Sequence, residues 1–234
     1  MKIQSTFNKK GITLIELLIA LVIAAITLAG IYRVFISQTK TYAIQDQVVE
    51  VQQSVRGAMD IILRDLRMTG FDDDNPASVA AGITIPTPTV IPVKDPSDDI
   101  TVNYEYFDRN VLPSGQYQRH TVRYWRDAGT SRLMRQRDIN GVAGQPEILL
   151  ENVSALVFTY GIDANSDKVM DDQNGDGIIN AADYVAAASI GTATVVAVRV
   201  TLTGGPNPIN QDVAKAVSAR TLISAVTLRN LCLR

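Results

Sequence analysis

The sequence predicts an α+β protein in which a long N-terminal α-helix is packed on an antiparallel β-sheet head. Three observations carry the prediction. Residues 12–31 form an almost uncharged apolar run; a helical periodicity follows with no proline before Pro76; and from Asp99 onward apolar residues recur at every second position. At 234 residues, with 46% hydrophobic and 20% charged side chains, the chain suits one good-sized core with an appendage, and neither a disordered nor a collagen-like polymer. The net charge of −2 indicates no general attraction to nucleic acid or to anionic lipid. Cys232 is the single cysteine, which excludes an intramolecular disulfide and a multi-cysteine metal site.

From Ile12 to Ile31 only Thr13, Glu16 and Thr27 are polar. About 20 residues at roughly 1.5 Å each cover a hydrocarbon core of about 30 Å. Lys2, Lys9 and Lys10 precede the run and Arg33 follows it, so the stronger positive cluster keeps the start cytoplasmic and sends the bulk of the chain across. The competing reading, a cleaved secretory signal, calls for an apolar stretch of about 7 to 15 residues closed by a small-residue site. No Ala-x-Ala closes this run. Beyond it, Ile44, Val48, Val51, Val55, Ile62 and Leu66 recur at helical spacing between polar residues such as Gln47, Glu50, Gln53 and Arg56. Gly30 and Gly57 weaken a helix by about 1 kcal/mol each without ending it, whereas Gly70 makes a stop. One helix of about 55 residues is expected, with a membrane half over 12–34 and an amphipathic continuation over 35–70.

Glu16 is the anomaly in this helix. A carboxylate inside a bilayer costs several kcal/mol, and such groups usually have a partner or a function. Nothing basic lies within the run, but a cut just before Ile12 would create an α-amine four residues from Glu16, on the same helix face. The stretch KKGITLIELLIALVI closely resembles the N-terminus of type IV prepilins: a basic leader ending in glycine, a methylated residue, TLIEL and a long apolar segment. The resemblance implies a leader over 1–11, prepilin peptidase cutting between Gly11 and Ile12, N-methylation of Ile12, and Glu16 pairing with the N-terminal amine of a neighbouring subunit in a filament. Ile12 departs from the phenylalanine usual at that position. Without the resemblance, Glu16 reads as a carboxylate snorkelling to the interface one turn away.

The head is expected over 71–234. Residues 71–98 hold Asp72, Asp73, Asp74 and five prolines and read as an irregular crossover. In DITVNYEYFD, Ile100, Val102, Tyr104 and Tyr106 fall on one face of a half-buried strand, and Thr101, Asn103 and Glu105 on the other. QRHTVRYWRD and SRLMRQRD follow as a hairpin turning at Gly129, with a basic outer face. SALVFTYG, ATVVAVRVTLTG and AVSARTLISAVTLRN supply further strands. Strands in succession without intervening helices argue one antiparallel sheet, with the second half of the helix laid on its apolar face. This is the pilin-like plan. VRGAMDIILRDLRMTGF, VVAVRVTLTG and TLISAVTLRN resemble PilW-like minor pilins and, more distantly, J-type minor pseudopilins of type II secretion.

One segment of the head, 163–183, carries metal-ligand spacing. In DDQNGDGIINAADY, Asp172, Asn174, Asp176, Ile178, Asn180 and Asp183 occupy positions one, three, five, seven, nine and twelve of an EF-hand or dockerin-type calcium loop, with Gly177 at the sharp turn. Ile178 would offer its carbonyl and Ile179 would point into the core. Just upstream, Asp163, Asn165, Asp167 and Asp171 have similar spacing with Lys168 where the glycine belongs, a possible second ion site. For both runs the plain alternative is a solvated acidic turn.

Other residues argue against catalysis: no phosphate loop or nucleophile elbow occurs. His120, the only histidine, reads as an exposed strand residue, Cys232 as a small apolar side chain, and Trp125 with Arg119, Arg123 and Arg126 as products of strand alternation rather than a nucleic-acid patch. The expected protein is a structural minor pilin, no enzyme, anchored in the inner membrane by a single pass before reaching a periplasm-spanning or extracellular pilus. Its partners would be prepilin peptidase, other minor and major pilins and the inner-membrane assembly platform, with calcium as cofactor and no nucleic acid. It would help prime or cap pilus assembly; the alternatives are a calcium-dependent adhesin displayed on the pilus and a type II secretion minor pseudopilin.

Overall fold

Helix α1 runs unbroken from Leu14 to Met68, 55 residues. The computed structural model describes residues 11–72, 83–84, 98–110, 115–208 and 211–232. The leader residues 1–10, most of the 71–98 crossover and the side chain of Cys232 lie outside the described residues. By backbone proximity the chain divides into two units, Met1–Asp46 and Gln47–Arg234.

In the first unit α1 stands alone. Its 18-residue apolar window has a mean hydropathy of 2.7, and none of that window is buried. It is long and apolar enough to cross a membrane, and its first turns carry Leu14, Ile15, Leu17 and Leu18 in the open. The Thr27 hydroxyl donates to the Ile23 carbonyl at 2.9 Å, so this polar group is satisfied within its own helix and asks nothing of its surroundings.

The second unit buries the amphipathic stripe of α1. Val51, Val55, Ala58, Met59, Ile62, Leu63 and Leu66 turn inward at three- and four-residue steps. Against them pack two antiparallel sheets, not the single sheet that strand succession suggests. The first has the order β1 (Ile83–Thr84), β2 (Asp99–Asp108), β3 (Gln116–Asp127), β4 (Arg132–Ile139), β5 (Glu147–Leu150). The second has the order β6 (Val153–Asp163), β7 (Thr194–Gly204), β8 (Arg220–Thr227). Short helices α2 (Gln211–Ala214) and α3 (Arg229–Cys232) flank β8. The sequence is blind to the division because all strands alternate alike; Asn152, at φ 56 between β5 and β6, lies where the chain leaves one sheet for the other. One hydrophobic core joins Ile62 and Leu66 of α1, Val102 and Val122 of the first sheet, and Phe158, Val198 and Leu202 of the second. Each such side chain contributes about 1.5–3 kcal/mol by burial.

Alternation is broken in instructive places. Glu105, expected outside, is buried, because the chain leaving α1 runs beside β2: Gly70 N donates to Asn103 O and Glu105 N to Phe71 O, each at 2.8 Å. His120, expected exposed, is 1% exposed, its ring stacked on Tyr104 and Tyr106 at 5.1 and 4.9 Å between centroids. It shares the inward face of β3 with Val122 and Tyr124, a parity that its arginine neighbour disguised. The hairpin's basic outer face is also only partial. Arg135 points inward, where it donates to Asp65 of α1 at 2.9 Å and to the Tyr124 hydroxyl at 3.0 Å.

Candidate functional sites

The N-terminal site begins as a helix cap. Gly11, Ile12 and Thr13 precede α1. Glu16 accepts hydrogen bonds from both the backbone N–H and the hydroxyl of Thr13, each at 2.9 Å, and the Thr13 hydroxyl accepts from Glu16 N at 3.3 Å. This is a capping box, in which residues three apart satisfy donors that an α-helix start leaves open. Leu17 N then donates to Thr13 O at 3.2 Å and starts the ladder. Thr13 is a residue that the sequence reading overlooked, although Thr-x-x-Glu before an apolar run announces it. Glu16 therefore has local partners already, while Ile12 remains 78% exposed.

The second site is the acidic segment from the end of β6 at Asp163 to the three-residue turn Ala181–Asp183. It consists of two copies of one loop, nine residues apart. In the first, Asp163 accepts from Ser166 N at 2.7 Å and Lys168 N at 2.8 Å, Asn165 accepts from Asp167 N, and Asp167 accepts from Val169 N. In the second, Asp172 accepts from Gly175 N at 2.7 Å and Gly177 N at 2.6 Å, Asn174 from Asp176 N, and Asp176 from Ile178 N. Ser166 and Lys168 take φ of 65 and 67°, matching 74 and 79° at Gly175 and Gly177, so Lys168 adopts the left-handed turn in spite of its side chain. The repeat Asp-x-Asn-x-Asp-x-Val/Ile is legible in the sequence once the nine-residue offset is tried. The amide of Gly177 foremost, with that of Gly175, holds the Asp172 carboxyl below its ordinary range.

The loops differ in what they gather. Asp163, Asp167 and Asp171 bring ligand oxygens within 4.8 Å of one another, the group of this kind found among the described residues. Asp171 also accepts from Ala164 N at 2.7 Å, closing the first loop. Asp183 instead is fully buried and accepts the amides of Gln173, Asn174 and Asn180 at 3.0, 3.3 and 2.7 Å. Asn180 caps the turn through Ala182 N, and its amide donates to Asp176 and to the Ile178 carbonyl. Ile179, expected in the core, is 50% exposed: the loop runs into a three-residue turn instead of an exiting helix, so no apolar face is there to receive it. An all-oxygen donor set with three converging carboxylates fits a hard cation such as calcium, which takes six to eight oxygens at about 2.3–2.6 Å.

Comparison with known families bears on both ends of the chain. The prokaryotic N-terminal methylation motif matches residues 6–32, and type IV pilus-assembly protein W matches residues 123–222. The chain is a type IV prepilin-like minor pilin. In this minor pilin the first match takes in Gly11, Ile12, the capping box and the apolar half of α1, while the second takes in most of the hairpin, β5 to β7 and the doubled acidic loop, and ends at the start of β8. The family is a structural one rather than a set of enzymes. No curated protein and no solved structure matches this minor pilin.

Proposed function

We propose that this minor pilin is cut between Gly11 and Ile12 by prepilin peptidase, N-methylated on Ile12, and assembled with other pilins to prime or cap a type IV pilus. The observation that carries the reading is the methylation motif lying at the start of a 55-residue helix whose first half buries nothing. Before assembly that half would sit in the inner membrane, with the start of the chain cytoplasmic, as the lysines of the leader favour. Glu16 would change partners in two stages. In the monomer the capping box with Thr13 lowers the cost of holding a carboxylate in lipid; in the filament the amine of a neighbouring Ile12 supplies the opposite charge. Edman sequencing or mass spectrometry of the mature chain tests the first step, with methyl-isoleucine expected at position one and a start anywhere else refuting it. Glu16→Ala should insert normally but be lost from sheared pili, and normal incorporation would remove the role assigned to Glu16.

The acidic loops would hold calcium. Asp172, Asn174, Asp176, the Ile178 carbonyl, Asn180 and Asp183 would ligate one ion, and Asp163, Asp167 and Asp171, with Asn165 beside them, would ligate a second. The ion would neutralise carboxylates that otherwise repel and fix a long loop in a chain with no disulfide. Calorimetry of the full chain in detergent should show calcium binding and a raised melting temperature; absence of both refutes the site.

A further inference from the structure

Strand β8 forms one edge of the second sheet. It pairs with β7 from Arg220 to Thr227, and among the described residues no strand pairs with its other side. A free edge presents a row of unpaired N–H and C=O groups and adds another strand unless it is short, bulged, or guarded by lysine or proline. β8 has none of these guards. It is eight residues, RTLISAVT, with Arg220 its only charge and no register shift against β7. The other sheet ends in strands of two and four residues.

Arginines flank this edge. Arg56 and Arg220 line a hollow of about 170 Å³ with Gln52 and Leu222, at the start of β8. Arg67 and Arg229 line a larger one of about 510 Å³ with Ala225 and Asn230, at its end. All four arginines are exposed, and none makes a salt bridge among the described residues. Arg56 and Arg67 are eleven residues apart on α1, three turns, so they share one stripe, and the roughly 16 Å between them falls within the roughly 23 Å run of β8. Asp60 lies on the same stripe and opposes the four cations only in part.

We propose that the β8 edge and these arginines form a docking site for an extended, acidic segment of another polypeptide, which adds to the second sheet as a further strand. The backbone supplies the ladder, and arginine forks bind carboxylates spaced along the incoming chain. An apolar or basic strand would meet the same edge without the charge match.

The test uses the full chain in a zwitterionic detergent and fluorescein-labelled peptides of about eight residues that alternate valine with glutamate, or valine with lysine. The glutamate peptide should bind, weaken as salt is raised, and slow amide hydrogen exchange within 220–227. The lysine peptide, and a glutamate peptide carrying two prolines, should bind at least roughly tenfold more weakly. R67E/R229E should lose roughly tenfold or more in affinity for the glutamate peptide while keeping its circular dichroism and melting temperature. Arg64→Glu, an exposed change on α1 outside both hollows, should leave binding as it was. Equal binding of both charged peptides, no binding of the glutamate peptide, binding without protection of 220–227, or an edge already protected by self-association of the free chain would each overturn the proposal.

Discussion

Asp65 is the residue on which the helix and the first sheet are fastened. It is 2% exposed, accepts from the Tyr124 hydroxyl and from Arg135, and Arg135 reaches on to Glu147 at 2.7 Å. Burial, together with the negative charge of Asp65, pushes the Tyr124 phenol far up, so it stays a donor at any working pH. Removing one member leaves charge buried without its counterpart, which is more damaging than removing the pair. Asp65→Ala should therefore cost about 3 kcal/mol in denaturant unfolding of the detergent-solubilised chain, while Asp65→Leu with Arg135→Met should cost clearly less.

His120 works in the opposite sense. Among the described residues neither buried ring nitrogen has a hydrogen-bond partner, so the ring is tolerated for its stacking against Tyr104 and Tyr106. Burial foremost, then the charge of Arg137, holds its pKa below the ordinary 6.5, outweighing Asp65 and Asp108. The unfolded chain then binds the proton more readily than the fold does. Stability is complete above about pH 6.5 and declines as the pH falls through that value towards the depressed pKa of the fold. His120→Phe should flatten that decline and add about 1 kcal/mol, read from melting curves at neutral and mildly acidic pH.

At the scale of elements, the end of α1 and the doubled loop depend on left-handed backbone. Gly70 stands at φ 73° with the side chain of Leu231 packed where a Cβ would go. Gly70→Ala should destabilise by about 1–2 kcal/mol and loosen the C-terminal helix α3, visible as faster hydrogen exchange there. Lys168 occupies the same kind of conformation, with its backbone N–H donating to Asp163. If the loop holds calcium as proposed, Lys168→Gly should raise both calcium affinity in calorimetry and melting temperature without the ion, the latter by relief of about 1 kcal/mol of strain.

At the scale of the molecule, the division at Asp46 and Gln47 separates a helix with no core from a unit with all of it. The first core residue of α1 is Val51, so a fragment beginning at Gln47 should fold alone and unfold in one cooperative transition. A non-cooperative melt of that fragment would mean that the apolar half of α1 is needed for the head to fold.

The long helix, its inward stripe and the strand runs were legible because each rests on a local period: Val51, Val55, Ile62 and Leu66 repeat at helical steps whatever they pack against. The methylation motif and the acidic spacing were legible for the same reason, being contiguous. The fates of Glu105, His120, Arg135 and Ile179 were not, since each depends on a neighbour remote in the chain or on the lack of one. Sequence by itself determined one apolar helix, a β-rich head and two runs of evenly spaced acidic and amide side chains, because periodicity and spacing act within a few residues. Only the tertiary structure decided that the strands form two sheets, that Asp65 meets Arg135 across 70 residues, that Asp163, Asp167 and Asp171 converge while Asp183 turns to the backbone, and that β8 has one edge with no strand partner among the described residues. Those outcomes are set by which surfaces exclude water together, and no local pattern records that.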